Sequence, residues 1–430
     1  MKYFPLRSPQ ENLLKKNAIS LKMKSKRNVF LWTLYDFANS IVSITFFLYF
    51  AQWIVIDRGV SDLYFNLTFT VSAIILFLSA PIMASLLDRS MRRITGLRYT
   101  TVLTTIFYGI CAFSAVSGRE VLALIFFTLG LYFYLLSFTF YTPLLNSISN
   151  PGRRGLVSGL GISANYLGQF IGLLIALPFS TGSISLFGSL PRAETLLPAV
   201  LIFFIFSLPT LLFFKEPMKK IQKFSLKSNI KQTLIGTKLL ISSSSVLFFL
   251  IAYFFFNDAI LTAANNFPIF LEQVWSIPDT IKTYILLGIV ITSAIGGTVS
   301  GIIADRFGHK RTLMFVLFGW IIILPTMGLL NNFALFVVVS VIMGFWLGAN
   351  WAVSRSVMSY LAPRGKQNLA FTYFGLAERA SSFAGPLVWG LIVSNLVSLG
   401  SVRYRIAVLA ITVFIIFGLF VLSRVKSDRK

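Results

Sequence analysis

Two short stretches, Leu86-Leu87-Asp88-Arg89-Ser90-Met91-Arg92-Arg93 and Ala304-Asp305-Arg306-Phe307-Gly308-His309-Lys310-Arg311, repeat one acidic–basic pair 217 positions apart, about half of a 430-residue chain. Each copy lies between two long apolar runs. A charged turn recurring at matching points of two hydrophobic halves predicts a duplicated bundle of membrane helices.

Composition supports this reading. Hydrophobic residues make up 56% of the chain and charged residues only 12%, about half the charged share of a soluble protein. The uncharged runs 121–152, 155–191, 283–304, 312–354 and 380–402 are long enough to cross a bilayer, which takes roughly 20 apolar residues per helix. The run 312–354 exceeds one span and must turn, with Asn331-Asn332 the expected place. The run 155–191 must turn in its Gly/Ser-rich stretch near 180–190. Twelve spans follow: 29–56, 62–87, 96–117, 119–146, 155–179, 194–214, 245–272, 279–304, 312–330, 333–361, 367–396 and 401–423. Continuous apolar stretches, rather than ten-residue segments of alternating polarity, argue against a β-barrel.

The formal net charge of +24 is distributed unevenly. On this topology 30 of the 38 Lys and Arg residues fall on the face carrying both termini, six on the opposite face and two inside the membrane. The 14 acidic residues divide as five, six and three. This bias predicts cytoplasmic termini facing anionic lipid. It also argues against nucleic-acid binding, which needs a basic patch on a folded soluble domain. The basic stretch 1–28 reads as a cytoplasmic tail with no cleavable leader. One cysteine, Cys111, and one histidine, His309, exclude an intramolecular disulfide and a Cys/His metal site.

The predicted organisation is a tail over 1–28, a six-helix bundle over 29–214, a basic linker over 215–244, a second six-helix bundle over 245–423 and a tail over 424–430. Other landmarks recur. Asp36 in the first span matches Asp258 in the seventh, and Pro151-Gly152-Arg153 matches Pro363-Arg364-Gly365. An even number of spans per half relates the halves by an axis along the membrane normal.

The pattern Gly301-x-x-x-Asp305-Arg306-x-Gly308-His309-Lys310 resembles the signature loop of the major facilitator superfamily. The first-half copy departs from it, with Ala84 and Met91 in the glycine positions. Trp32-Thr33-Leu34-Tyr35-Asp36-Phe37-Ala38-Asn39-Ser40, Arg154-Gly155-Leu156-Val157-Ser158-Gly159-Leu160-Gly161, Phe256-Asn257-Asp258 and Ser354-Arg355-Ser356 are similar to motifs of the vacuole effluxer (autophagy-related permease) family. Glu378 stands where relatives usually have a small residue, and Arg379 where they usually have lysine. The resemblance implies an all-α membrane protein of twelve helices in two pseudo-two-fold-related bundles, the major facilitator fold. It implies a multi-pass transporter, with amino-acid efflux known for eukaryotic relatives.

Five ionisable side chains fall more than a turn and a half inside the predicted spans: Asp36, Asp258, Arg355, Glu378 and Arg379. Each such charge costs roughly 2.5–3.5 kcal/mol to insert at mid-bilayer, so each needs a watery cavity or a partner. Asp36 shares a helix face with Asn39. Asp258 neighbours Asn257, and the two aspartates are expected to flank one cavity. Asn165 and Gln169 share a face of the fifth span. Glu378 and Arg379 project about 100° apart, the first suited to titration, the second to a carboxylate. These eight form the expected substrate or proton site, with interior ion pairing as the alternative. Protonation of Asp36 or Asp258 would change the cost of closing a cavity around it. Carboxylates facing Arg379 would complement a zwitterion.

Asp88, Arg89, Gly301, Asp305, Arg306, Gly308, Lys310 and Arg355 form an expected cytoplasmic gate, with Gly301 and Gly308 permitting close helix approach and a tight turn. Gly168-x-x-x-Gly172, Gly297-x-x-x-Gly301 and Gly344-x-x-x-Gly348 read as helix-packing seams. Gly159-x-Gly161-x-x-Ala164 imitates a dinucleotide fingerprint, but no strand precedes it. No Walker A loop and no catalytic constellation is present. The expectation is a monomeric, cofactor-free, secondary-active transporter of a small polar solute in the cell membrane, possible coupling proton included. Uptake of a sugar or other metabolite, and a non-transporting membrane receptor with the same fold, are the alternatives.

Overall fold

The structure, a computed structural model, describes residues 9–89, 92–149, 154–216, 244–362 and 367–426; the side chains of 9–25, 80–89, 146, 154–156, 367–369 and 372 are outside that description. Among the described residues eleven helices are long and apolar enough to cross a membrane, and a twelfth element is broken into two shorter ones. The first bundle holds α1 (Pro9–Thr45, continued by π-helical turns Phe46–Phe50 and Trp53–Asp57), α2 (Asp62–Arg89), α3 (Arg93–Val116), α4 (Glu120–Tyr141), α5 (Arg154–Ser180) and α6 (Leu196–Phe213). The second holds α7 (Ser244–Trp275), α8 (Asp279–Phe307), α9 (His309–Leu329), α10 (Phe333–Leu361), α11 and α12 (Val402–Ser423). Helix α11 is split into α11a (Gln367–Ala380) and α11b (Ala384–Asn395).

Helices are the expected outcome for such runs, because in lipid each backbone N–H and C=O must be satisfied within its own segment. The runs stop where polar residues offer the backbone other partners. Helix α9 ends at Leu329, and the Asn332 side chain caps α10 by accepting from the Leu335 N–H at 3.1 Å. The turn expected at Asn331-Asn332 is therefore present. Gly308, at φ +95°, makes the reversal between α8 and α9, a conformation that side chains with a Cβ resist.

Duplication is visible in the packing. In the first bundle α1 packs on α5 and α6, α2 on α4, and α3 on α4 and α6; in the second, α7 packs on α11 and α12, α8 on α10, and α9 on α10 and α12. Each pairing recurs six helices later. The bundles meet through α2 against α11, α5 against α8, and α4 against α11a.

The stretch expected as a tail is helical from Pro9 onward, continuous with α1, since its lysines and leucines are good helix formers. Other expectations need correction. The eleventh span is not one helix; it breaks at residues 381–383, where a neighbouring helix takes up the backbone N–H groups. The close seam between α8 and α10 does not involve Gly301, around which a Cβ would meet open space; it is made by Gly296, Gly344 and Gly348, whose added Cβ atoms would press on the backbones of Phe345, Ile289 and Ser293. Lys310 ties the turn between α8 and α9 to the end of α12: its Nζ donates to the carbonyls of Ser423 and Val425 at 2.9 and 2.5 Å. Asp88 and Arg89 close α2, with side chains outside the described set, and most of the basic linker, 217–243, is outside the described residues.

Candidate functional site

Where the bundles face each other, α1 brings Asp36, α5 brings Asn165 and Gln169, α10 brings Arg355, and α11a brings Glu378 and Arg379. All six are half-buried, so water reaches them inside a predominantly apolar protein. Gln169 Nε2 donates to Asn165 Oδ1 at 2.7 Å, and Asn165 Nδ2 lies 3.4 Å from Asp36 Oδ1. An amide chain thus leads to the carboxylate. Gly161, one turn before Asn165, allows the approach of α5: a Cβ there would lie 2.6 Å from the Trp32 ring and 3.3 Å from Asp36 Oδ2.

Aromatic side chains wall this side. Trp32 stacks on Tyr141 with centroids 4.8 Å apart and planes 2° from parallel. The pair is locked reciprocally: Trp32 Nε1 donates to the Tyr141 carbonyl at 3.3 Å, and Tyr141 Oη donates to the Trp32 carbonyl at 2.9 Å.

From the second bundle, Arg355 Nη2 lies 3.7 Å from Glu378 Oε1. Arg355 therefore belongs with this interior group rather than with the loops where a gate was expected. Arg379 turns the other way, its guanidinium 3.6 Å from the ring centroid of Phe138 on α4. Two carboxylates and two guanidiniums, drawn from both bundles, thus share one aromatic- and amide-lined region.

The remaining expected residues are placed elsewhere. Asn39 is fully buried, and neither side-chain polar atom has a hydrogen-bond partner among the described residues. Asn257 and Asp258 are also fully buried. Asn257 Nδ2 donates to Ser381 Oγ at 2.6 Å and to the Glu378 carbonyl at 3.3 Å. Asp258 accepts from the backbone N–H groups of Phe383, Ala384 and Gly385 at 3.2, 3.0 and 2.8 Å. Matching positions in the two halves therefore hold different environments: Asp36 is half-buried beside the Asn165 amide, and Asp258 is enclosed by backbone N–H groups. Asp305 and Arg306 are exposed at the end of α8. Among the described residues no group of three His, Cys, Asp or Glu is placed to hold a metal ion.

One assembly escaped the sequence reading. At the face opposite the termini, Arg192, in the turn before α6, contacts Asp57 of its own bundle at 2.7 Å, and Glu272 and Asp279 of the other bundle at 3.1 and 2.8 Å. Lys282 pairs with Glu272, contacts Asp279 at 2.8 Å, and reaches across to Gln52 on α1 at 2.5 Å. Beside this cluster, Asn66 and Asn266 exchange two amide hydrogen bonds across the bundle interface at 2.9 and 2.8 Å. Tyr404 donates to Asp62 at 3.0 Å. The available signal was the balance of six basic and six acidic residues on that face, where net charge alone shows nothing.

Comparison with known proteins agrees with this architecture. The profile of the Major Facilitator Superfamily matches residues 2–173, and that of the vacuole effluxer Atg22-like family matches residues 147–430. A multi-drug resistance efflux pump PmrA homolog of Lactococcus lactis subsp. lactis (strain IL1403) is 25% identical over 418 residues, covering 92% of this chain and 93% of that protein. Autophagy-related protein 22 of Yarrowia lipolytica (strain CLIB 122 / E 150) is 40% identical over 103 residues, 24% of this chain and 17% of that protein. Among solved structures, a point mutant of the nucleoside transporter NupG superposes with a TM-score of 0.72 at 12% identity, covering 93% of this chain and 99% of that one. A bacterial homolog of the human lysosomal transporter Spinster, inward-facing and unoccupied, gives 0.70 at 12% identity over 94% and 96%. The chain is a multi-pass membrane transporter, not an enzyme, and it belongs to the vacuole effluxer Atg22-like family, with the fold of the Major Facilitator Superfamily.

Proposed function

We propose that this transporter is a secondary-active exporter of a zwitterionic solute, an amino acid or a close relative, working by alternating access in the cell membrane with both termini cytoplasmic. The observation that carries the proposal is the placement of Asp36 on one bundle and of Arg355, Glu378 and Arg379 on the other, all half-buried, with Arg379 set against Phe138 of the facing bundle. An ammonium suits the carboxylate, and a carboxylate suits the guanidinium fork. A solute carrying both groups at once favours approach of the two bundles, and alternating access requires that coupling. The efflux-pump relative and the Atg22-like family support the direction. Thirty basic residues on the face of the termini support the orientation.

Proton coupling falls to Asp36 and Glu378, the two carboxylates that water reaches. Asp258 is not assigned this role, because its oxygens are occupied by three backbone N–H groups. The test is counterflow in proteoliposomes with the twenty L-amino acids taken singly as tritiated solutes, with and without a pH gradient. The expected result is exchange of at least one amino acid, loss of gradient dependence in Asp36→Asn, and a KM raised at least tenfold in Arg379→Ala. Exchange of sugars or nucleosides alone would overturn the zwitterion reading, and a gradient response unchanged in both Asp36→Asn and Glu378→Gln would overturn the coupling.

A further inference from the structure

The break in α11 lies two residues beyond Arg379, and one dipeptide of a different helix holds both sides of it. On the near side, Asn257 bonds the Glu378 carbonyl and the Ser381 hydroxyl. On the far side, Asp258 gathers the N–H groups of Phe383, Ala384 and Gly385, the first turn of α11b. Phe383 is the cap residue there and has no side-chain acceptor of its own. Buried N–H groups at a helix start need an acceptor, and a carboxylate also matches the positive end of the helix dipole. Gly385 permits the contact, since a Cβ at that position would press on Thr262 and come within 2.9 Å of Asp258 Oδ1. Thr70, on α2 of the opposite bundle, donates to the Phe383 carbonyl at 2.9 Å, so the bend also abuts the bundle interface.

We infer that Asn257 and Asp258 are positioning residues for transport: they fix the bend of α11, and the bend aims Glu378 at Arg355 and Arg379 toward Phe138 and the facing bundle. This rests on the reading of Arg379 as a substrate-contacting residue. An unbroken α11 would continue past residue 380 with its own i to i−4 bonds and redirect the turn that carries Glu378 and Arg379. Asparagine at 258 keeps the volume but replaces one acceptor oxygen with an N–H₂ group facing backbone donors.

The test uses the full chain in proteoliposomes and the tritiated L-amino acid that the parent exchanges fastest. Asp258→Asn is expected to raise KM at least tenfold with maximal rate within about threefold, and to speed amide hydrogen exchange at 383–385. Its effect on KM should largely vanish in an Arg379→Ala background. If Asp258→Asn does not reach the membrane folded, Asn257→Ala, which removes two bonds to the same break, carries the same comparison. An Asp258→Asn effect that multiplies independently with Arg379→Ala, or faster exchange with KM unchanged, overturns the positioning role while leaving the substrate reading intact. An unchanged KM in Arg379→Ala overturns the substrate reading, and the positioning role with it.

Discussion

Replacing Arg192 by alanine should open the face opposite the termini. The guanidinium is 14% exposed and makes three hydrogen bonds across the bundle interface: two to Asp279 at 2.8 and 3.0 Å and one to Glu272 at 3.1 Å. A hydrogen bond to a charged group contributes about 1.5–3 kcal/mol, which sets an upper limit for the sum. Two features reduce it. Lys282 continues to neutralise Glu272 and Asp279, and the partly exposed Asp57 regains water. A loss of about 2–4 kcal/mol from the closed arrangement is the balance of these effects, equivalent to roughly a 30- to 700-fold shift in the opening equilibrium. The assay is the distance between spin labels at Ser183 and Ser398, exposed positions of the two bundles on that face. Cys111, fully buried, is first replaced by alanine to leave the labels unique. Arg192→Ala should add a longer-distance population. Arg58→Ala is the control: its pair with Glu120 lies on the same face but within one bundle, about a third exposed, and is worth about 0–1 kcal/mol. Should the folded Arg192→Ala/Lys282→Ala variant give the parent's distance distribution, the cluster does not hold the bundles together.

Two further outcomes are expected. Asn66→Leu leaves the fully buried Asn266 amide without its partner across the interface, and should weaken closure on the same label pair by about 1–3 kcal/mol. Asn66→Leu/Asn266→Leu should recover part of that loss, and a double-mutant cycle with no coupling would contradict the pairing. Gly161→Val places methyl groups against Trp32 and Asp36; overpacking of about 1–3 kcal/mol should lower the melting temperature and reduce solute exchange, and unchanged values of both would show that α5 does not approach α1 as described.

The architecture was legible in the sequence because lipid allows few solutions. Uncharged runs of about 20 residues, the Asp88 and Asp305 repeats and the turn at Asn331-Asn332 locate the spans to within a few residues at most ends. The interior site was legible as composition, since a charge in a span is rare and therefore conspicuous. Its internal assignments were not. Asp36 and Asp258 occupy matching positions, and sequence spacing cannot show that α11 presents a broken backbone to one of them. Arg355 lies six residues before the end of α10, and its distance from that end suggested a gate; only the fold of α11a brings Glu378 to it. The cluster around Arg192 was hidden for a different reason. Its members come from the ends of α1 and α7, the start of α8 and the turn before α6, each an ordinary charged residue at a membrane boundary, and only the closure of the bundles makes them neighbours.

The contact between Arg379 and Phe138 makes the protein its own competitor. The guanidinium is docked on an aromatic face of the opposite bundle. On the proposed reading, an arriving solute contends with that ring for the cation. A cation–π contact worth about 0.5–2 kcal/mol then weakens apparent affinity by a factor between about two and roughly 30. Once solute departs, Phe138 reclaims the cation, which disfavours rebinding. On that reading a Phe138→Leu carrier should show a counterflow KM lowered by about two- to roughly 30-fold, and an unchanged KM would contradict the competition.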